Sequence, residues 1–221
     1  AENETYRGNE LSTDEGKRLI DDLAEFGVPV ILFSGGEPVL RKDLPDLIDY
    51  AVKKGLRAVI STNGTLITEE KAKQFARYAL SYIGISIDGT GKVNDAFRGV
   101  DGAYDLAING VRNAKHAGIK VGLRFTINKK NYNEIQRIFD IIETEGIQRV
   151  CFYHLVYAGR GSQLINEDIS HEESRKVVDY IMDRTKESFK KGSPIEVLTV
   201  DNHADGPYVY LRLLQEDSQR A

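Results

Sequence analysis

The nine residues Val30-Ile-Leu-Phe-Ser-Gly-Gly-Glu-Pro38 constrain this chain more than any other stretch. The apolar, β-rich run from Val28 to Phe33 reads as a strand buried on both faces, as in a parallel sheet. It then breaks into two glycines, a carboxylate and a proline, which cannot continue a strand. Gly35 and Gly36 allow backbone angles closed to other residues and bring no side chains between the main chain and a ligand. Glu37 is left at the strand's carboxyl end, where α/β folds bind their ligands. A tight strand-to-helix turn would use the same residues.

The remainder of the chain supports an α/β reading. Its 221 residues are 41% apolar and 29% charged, enough to bury a full core. Ser12-Thr-Asp-Glu15 is a capping box opening a helix in which Leu19, Ile20, Leu23 and Phe26 share a face, with Gly27 as its stop. Asp43 is placed to cap a second helix through Leu47, Ile48, Ala51 and Val52, ended by Gly55. Strands follow at Leu56–Ser61, Tyr82–Ile87, Lys120–Ile127 and Arg149–Val156. Helices alternate with them, from Thr68 to Ala79, from Ala103 to Ala117, and from a capping box at Asn131–Glu134 to Glu145. Ser170-His-Glu-Glu173 caps a longer helix reaching Lys190, with Val178, Ile181, Thr185 and Phe189 at helical spacing. Short connections between alternating strands and helices imply right-handed crossovers and one parallel sheet. Residues 1–191 read as the core, and 192–221, with a strand at Ile195–Val200 and a short helix at Pro207–Glu216, as the start of a C-terminal extension. The polar segment Ala1–Asn9 enters a helix with no strand before it, so a first strand is expected ahead of Ala1, making six.

Several classes are disfavoured. The net charge of −4 gives no reason to expect nucleic acid or an anionic membrane as partner. No apolar run approaches the roughly 20 residues of a membrane span. The single cysteine, Cys151, excludes an internal disulfide and suits the cytoplasm.

Small and polar residues collect at each strand's carboxyl end: Gly35-Gly36-Glu37, Ser61 to Gly64, Ser86 to Gly89, Arg124 to Asn128, and His154 to Arg160. Five such ends on one rim outline a ligand site. Gly35-Gly36-Glu37, Ser61-Thr-Asn-Gly-Thr65 and Ile85-Ser-Ile-Asp-Gly89 together resemble the radical S-adenosylmethionine (SAM) enzymes over about Ala1 to Gly161. The resemblance implies a partial (β/α)6 barrel with a parallel sheet and outer helices, holding a 4Fe–4S cluster, SAM and the substrate. It implies that Gly35 and Gly36 meet the SAM amino group with their backbone and that Glu37 accepts from it. Thr62 and Asn63 would line the SAM pocket, although Asn63-Gly64 is equally a turn signal. Ser86 and Asp88 would reach the ribose hydroxyls or the methionine end, Asp88-Gly89 again being a common turn. Arg98 and Arg124 are candidates for the SAM carboxylate, and the backbone around Leu155–Tyr157 for adenine. No catalytic side chain is assigned.

Longer stretches, among them Val150-Cys-Phe-Tyr-His-Leu-Val-Tyr-Ala-Gly-Arg-Gly161 and Thr199-Val-Asp-Asn-His-Ala-Asp-Gly-Pro-Tyr208, are similar to the radical SAM proteins that trim tetrapyrrole side chains in siroheme-dependent heme and heme d1 synthesis. That branch implies a 5′-deoxyadenosyl radical removing acetate side chains from didecarboxysiroheme to give iron-coproporphyrin III, or else modifying propionates. It implies an electron donor such as ferredoxin or flavodoxin and an auxiliary 4Fe–4S cluster in a C-terminal region. Arg124, Arg160 and His154 are candidate anchors for substrate carboxylates. His154 reads equally as an axial iron ligand, a proton donor or a satisfied strand histidine. One feature departs from the family: the Cys-x3-Cys-x2-Cys cluster motif is not in this sequence, and Cys151 sits within a predicted buried strand. The cluster cysteines are therefore expected before Ala1, and no metal ligand is assigned here; a cluster-free SAM- or tetrapyrrole-binding module is the alternative from another class. Asp201, His203 and Asp205 have metal-ligand chemistry at short spacing but equally form an Asp-rich loop, and they stay outside the assigned metal site.

Overall fold

The computed structural model describes residues 10–216 and 219, so the segment Ala1–Asn9 lies outside the described residues. Its elements alternate: α1 (Thr13–Glu25), β1 (Val30–Phe33), α2 (Leu44–Lys53), β2 (Arg57–Thr62), α3 (Glu69–Arg77), β3 (Tyr82–Ser86), α4 (Lys92–Arg98), α5 (Ala103–His116), β4 (Lys120–Thr126), α6 (Ile135–Glu145), β5 (Arg149–Tyr153), α7 (His171–Lys190), β6 (Glu196–Val200) and α8 (Asp205–Glu216). The strands form one six-stranded sheet in the order β1-β2-β3-β4-β5-β6, and the registered pairs β1–β2, β2–β3, β4–β5 and β5–β6 are parallel. The order follows the chain, and among the described residues β1 and β6 do not pair with each other, so the sheet is not closed, consistent with a partial barrel. β6, at Glu196–Val200, is the strand read from the sequence at Ile195–Val200, and the strand expected ahead of Ala1 lies outside the described residues.

The chain divides into two compact units. The first comprises residues 1–86 and 101–122. Here α1 begins at the expected capping box, the Ser12 hydroxyl and the Glu15 carboxylate each satisfying the other's backbone amide. Ile20, Leu47, Ala51 and Leu56 form a buried cluster against which Ile31 and Phe33 of β1 pack. The register carries that face onward through Ala58 and Ile60 of β2, both without solvent exposure. The reading of β1 as buried on both faces is wrong: Ile31 and Phe33 pack on the cluster, while Leu32, which alternation turns to the opposite face, is 48% exposed. The α1 apolar face is also narrower than its spacing implied. Leu19 and Phe26 point to solvent, Phe26 with 87% exposure, while Ile20 and Leu23 meet the core. Asp43 sits at the start of α2 without capping it, its carboxylate being taken by Arg41 and by the Thr13 hydroxyl.

Behind β2 the packing leaves no room for side chains. Gly64 has φ +78°, and a Cβ there would lie 2.7 Å from Ile85 Cγ2. A Cβ on Gly110 of α5 would lie 2.3 Å from the Gly64 carbonyl oxygen, so this helix rests directly on the turn after β2.

The second unit comprises residues 87–100 and 123–221. Leu123 and Phe125 of β4 and Val150 and Phe152 of β5 have no solvent exposure. Phe152 meets Phe125 at 6.0 Å and Phe139 of α6 at 5.6 Å between ring centroids. The alternate residues Arg124, Cys151 and Tyr153 are only half-buried, so the two faces of these strands differ in chemistry. β5 ends at Tyr153, earlier than the expected Val156, and the backbone then runs into a 3₁₀ segment at Gly159–Glu167. Two further differences concern helices. α4 was not foreseen, and Asn131-Tyr-Asn-Glu134 makes no capping box but a 3₁₀ turn whose side chains bond elsewhere. By contrast, α7 has the expected capping box at Ser170 and Glu173.

Candidate functional site

In the first unit, five of the sequence-selected residues come together around one carboxylate. Gly35 and Gly36 follow β1 and are exposed. Gly35 has φ +137°, an angle that strains any other residue, and a Cβ there would meet nothing within 4 Å. The backbone therefore presents itself to open space. Glu37 next accepts three hydrogen bonds: Oε1 from the Val39 amide (3.1 Å) and the Thr62 hydroxyl (2.6 Å), Oε2 from the Asn63 amide (2.8 Å). The donors fix the carboxylate while leaving Oε2 with capacity for another donor. Thr62, only 3% exposed, also accepts from the Gly64 amide at 3.0 Å, so its hydroxyl proton must point to Glu37. The Asn63 side chain accepts from the Thr65 amide and hydroxyl, forming the turn that its sequence also allowed. Ser86 ends β3 half-buried.

The second unit holds Asp88, Arg98 and Arg124. Asp88 is 3% exposed, and burial pushes its carboxyl above the usual carboxylate range, against the pull of the Arg98 guanidinium. Arg98 ion-pairs with Oδ2, yet neither that oxygen nor Arg98 Nε has a hydrogen-bond partner, and Oδ1 receives only the Thr126 amide at 3.4 Å. The backbone around Asp88 is held firmly. Its amide donates to Asn94 Oδ1 (3.0 Å), and Asn131 Nδ2 donates to the carbonyls of Asp88 (3.1 Å) and Thr126 (2.8 Å). Glu134 accepts from the amide and hydroxyl of Thr90 and from Arg137. Asn94, Asn131 and Glu134 were missed as site-supporting residues. The Asn128–Asn133 run was the available signal, since asparagine is a poor strand and helix former but bonds backbone well.

Arg124 stands apart from that pair, its guanidinium 4.7 Å above the ring of Tyr153. Leu155 is half-buried beyond β5, and Tyr157 is exposed, its hydroxyl bonded to Asp168. The side chain of Arg160 lies outside the described residues. His154 is a satisfied histidine: it is 8% exposed, with Nε2 2.8 Å from Asp205 Oδ2, and Asn202 bonds the other oxygen of Asp205. Asp205 is thus committed to His154, and His203 is exposed. Among the described residues no group of three His, Cys, Asp or Glu is placed to hold a metal ion. Cys151 is half-buried in β5, and burial pushes its thiol up. No helix among the described residues is long and apolar enough to cross a membrane.

A family model described as the Radical SAM superfamily matches residues 2–142. The chain belongs to the radical SAM superfamily. Within it, the chain is 63% identical over 213 residues to the Fe-coproporphyrin III synthase of Methanosarcina barkeri (strain Fusaro / DSM 804), covering 96% of this chain and 53% of that protein. It is 42% identical over 205 residues to the pre-heme d1 synthase of Dinoroseobacter shibae, covering 90% of this chain and 50% of that protein. This radical SAM chain therefore spans about half the length of these relatives. Among solved structures, it matches Streptococcus suis SuiB bound to its precursor peptide SuiA with a TM-score of 0.76 at 19% identity, over 92% of this chain and 45% of that one. It matches anSMEcpe with bound AdoMet with a TM-score of 0.70 at 17% identity, over 85% and 54%. These two likenesses concern the fold.

Proposed function

We propose that this chain is the SAM-binding part of a cytoplasmic radical SAM enzyme that removes acetate side chains from didecarboxysiroheme to give iron-coproporphyrin III. The observation carrying this reading is the 63% identity to Fe-coproporphyrin III synthase across nearly the whole chain, against 42% to pre-heme d1 synthase. The heme d1 reaction, with modification of propionates, is the second reading, supported by that lower identity.

The donor set around Glu37 fits SAM. Its ammonium would be held by Glu37 Oε2 through a charge-assisted hydrogen bond and by the open backbone at Gly35 and Gly36, with Thr62 and Asn63 alongside. Ser86 and Asp88 are the candidates for the ribose or the methionine end, and the backbone of Leu155–Tyr157 for adenine. For the methionine carboxylate, Arg98 is already paired with Asp88, which leaves Arg124 as the candidate with free donors. Bound SAM supplies the hydrogen-abstracting radical of this family's chemistry. The contribution of these residues is to bind, orient and fix charge before that chemistry begins. The residues present do not fit an iron–sulfur cluster, since the sequence has one cysteine and its thiol is pushed up rather than down. A cluster, an auxiliary cluster and a ferredoxin- or flavodoxin-type electron donor would all come from outside these residues, and no step is assigned through them.

The test is anaerobic turnover of the cluster-loaded enzyme with didecarboxysiroheme, read by mass spectrometry of the pigments. Loss of two acetate side chains is the expected result. Consumption of SAM with both acetates retained and propionates altered would move the assignment to the heme d1 reaction. For the SAM site, Glu37→Gln should weaken SAM binding about tenfold with the fold intact, and an unchanged affinity removes the Glu37 assignment.

A further inference from the structure

Arg124 differs from every other half-buried arginine of the described chain. Arg41 pairs with Asp43, Arg98 with Asp88, Arg149 with Glu196, Arg184 with Glu143, and Arg212 with Asp179. Arg124 has no carboxylate partner among the described residues, and its guanidinium lies 4.7 Å over the Tyr153 ring. Arg124 stands opposite Cys151 in the β4–β5 register, with Tyr153 two residues further along the same strand and face. Burial pushes both the Cys151 thiol and the Tyr153 phenol up, favouring the neutral form of each.

Stacking on a ring occupies the face of a guanidinium and leaves its in-plane N–H groups free. It also removes the freedom that a long, flexible side chain otherwise loses on binding. We propose that Tyr153 is a positioning residue, holding Arg124 flat so that its N–H fork receives a carboxylate of the ligand. This rests on the functional reading above and assigns a role to Tyr153 that the reading does not contain. The carboxylate belongs either to SAM or to the tetrapyrrole, because both carry the same group, and the experiment separates them.

The measurement is equilibrium binding to the purified protein and to Arg124→Gln, Tyr153→Leu and Tyr153→Phe, each checked for native melting behaviour. The probes are SAM against decarboxylated SAM, and iron coproporphyrin III, with four propionates, against iron deuteroporphyrin, with two. Arg124→Gln and Tyr153→Leu should each weaken one carboxylated probe about tenfold while changing its carboxylate-poor partner less, and Tyr153→Phe, which keeps the ring, should stay within about twofold. An effect confined to the SAM pair assigns the carboxylate to SAM. An effect confined to the porphyrin pair assigns it to the substrate. Should Tyr153→Leu bind both carboxylated probes as well as wild type does, Tyr153 positions nothing and the proposal fails while the functional reading stands. Equal losses in Tyr153→Phe and Tyr153→Leu would also overturn it, since the ring would then not be what matters. If Tyr153→Leu does not fold, Arg124→Gln with no effect on either carboxylated probe overturns the proposal by itself. A wild-type protein that binds neither SAM nor iron coproporphyrin III overturns the functional reading and the pair's role together.

Discussion

Replacing Thr62 by valine tests the construction of the Glu37 site with almost no change in volume. The threonine hydroxyl donates to Glu37 Oε1 at 2.6 Å and accepts from the Gly64 amide at 3.0 Å, and the residue is 3% exposed. Valine loses both bonds at once. The bond to an ionised group is worth about 1.5–3 kcal/mol, and a buried amide left without an acceptor costs about 1–3 kcal/mol. Glu37 is only partly buried and keeps the Val39 and Asn63 amides, so the first figure belongs at its lower end. The expected loss is therefore about 3 kcal/mol, read as a shift in the urea midpoint at unchanged slope. Thr62→Ser retains the hydroxyl and should lose only about 0.8 kcal/mol for the missing methyl. In the proposed reading, Thr62→Val also weakens SAM binding about tenfold because the Glu37 carboxylate loses the shortest of its three hydrogen bonds and is oriented less firmly. A stability loss below about 1 kcal/mol, or Thr62→Ser as damaging as Thr62→Val, would show that the hydroxyl is not the linchpin between the two turns.

Other outcomes follow from single contacts. Gly110→Ala places a Cβ 2.3 Å from the Gly64 carbonyl oxygen, a backbone atom that cannot swing away, so overpacking should cost about 1–3 kcal/mol in a denaturant titration; an unchanged midpoint would mean α5 can lift freely from the turn. Asp88 has its carboxyl pushed above its ordinary value of 3.8, so its neutral form is the one the fold favours, and stability is lost as pH rises through the folded value. Asp88→Asn should accordingly be more stable than wild type at pH 7, with the difference vanishing as pH falls toward 3.8; a difference independent of pH refutes the assignment. Phe26→Glu, at 87% exposure, should leave stability within about 0.5 kcal/mol, and a large loss would restore the wider apolar face of α1 that its spacing suggested.

Elements whose stabilising partners are close in sequence were legible. The Ser12–Glu15 and Ser170–Glu173 capping boxes close within four residues and occur as expected. The strand positions followed from short β-rich runs between helices, and the parallel order followed from the alternation. Failures arose where a side chain found a distant partner. Asp43 has a good capping residue's chemistry, but Thr13, thirty residues earlier, and Arg41 claim its carboxylate. Asn131 and Glu134 match a capping box letter for letter, yet they bond Asp88 and Thr90, more than forty residues away. α4 has seven residues between Gly91 and Gly99, too few for a helical period to register. The gathering of Gly35, Gly36, Glu37, Thr62 and Asn63 around one carboxylate was legible because they lie at or just after the ends of β1 and β2. Tyr153 was not, because its significance lies in a stack with Arg124 across two strands.

The two selected carboxylates illustrate different uses of polar groups. Glu37 has a donor for each oxygen and is fixed by them. Asp88 is more deeply buried and more sparsely held: one oxygen is ion-paired with Arg98 and the other receives a single long hydrogen bond. Its backbone, however, is clamped at both ends by Asn94 and Asn131. A fold shaped for stability alone would place asparagine or an apolar residue at Asp88, since a buried carboxylate without full hydrogen bonding is costly. Clamping the backbone and pairing one oxygen with Arg98 holds the carboxylate rigid, while Oδ1, with one long bond, keeps capacity for a hydroxyl or ammonium donor from a ligand. This is why Asp88→Asn is expected to gain stability at neutral pH and, in the proposed SAM site, to lose ligand affinity. Opposite signs in the two measurements are the signature of a group kept for binding; a variant that gained stability and bound SAM as tightly as wild type would make Asp88 a defect of the fold rather than part of its site.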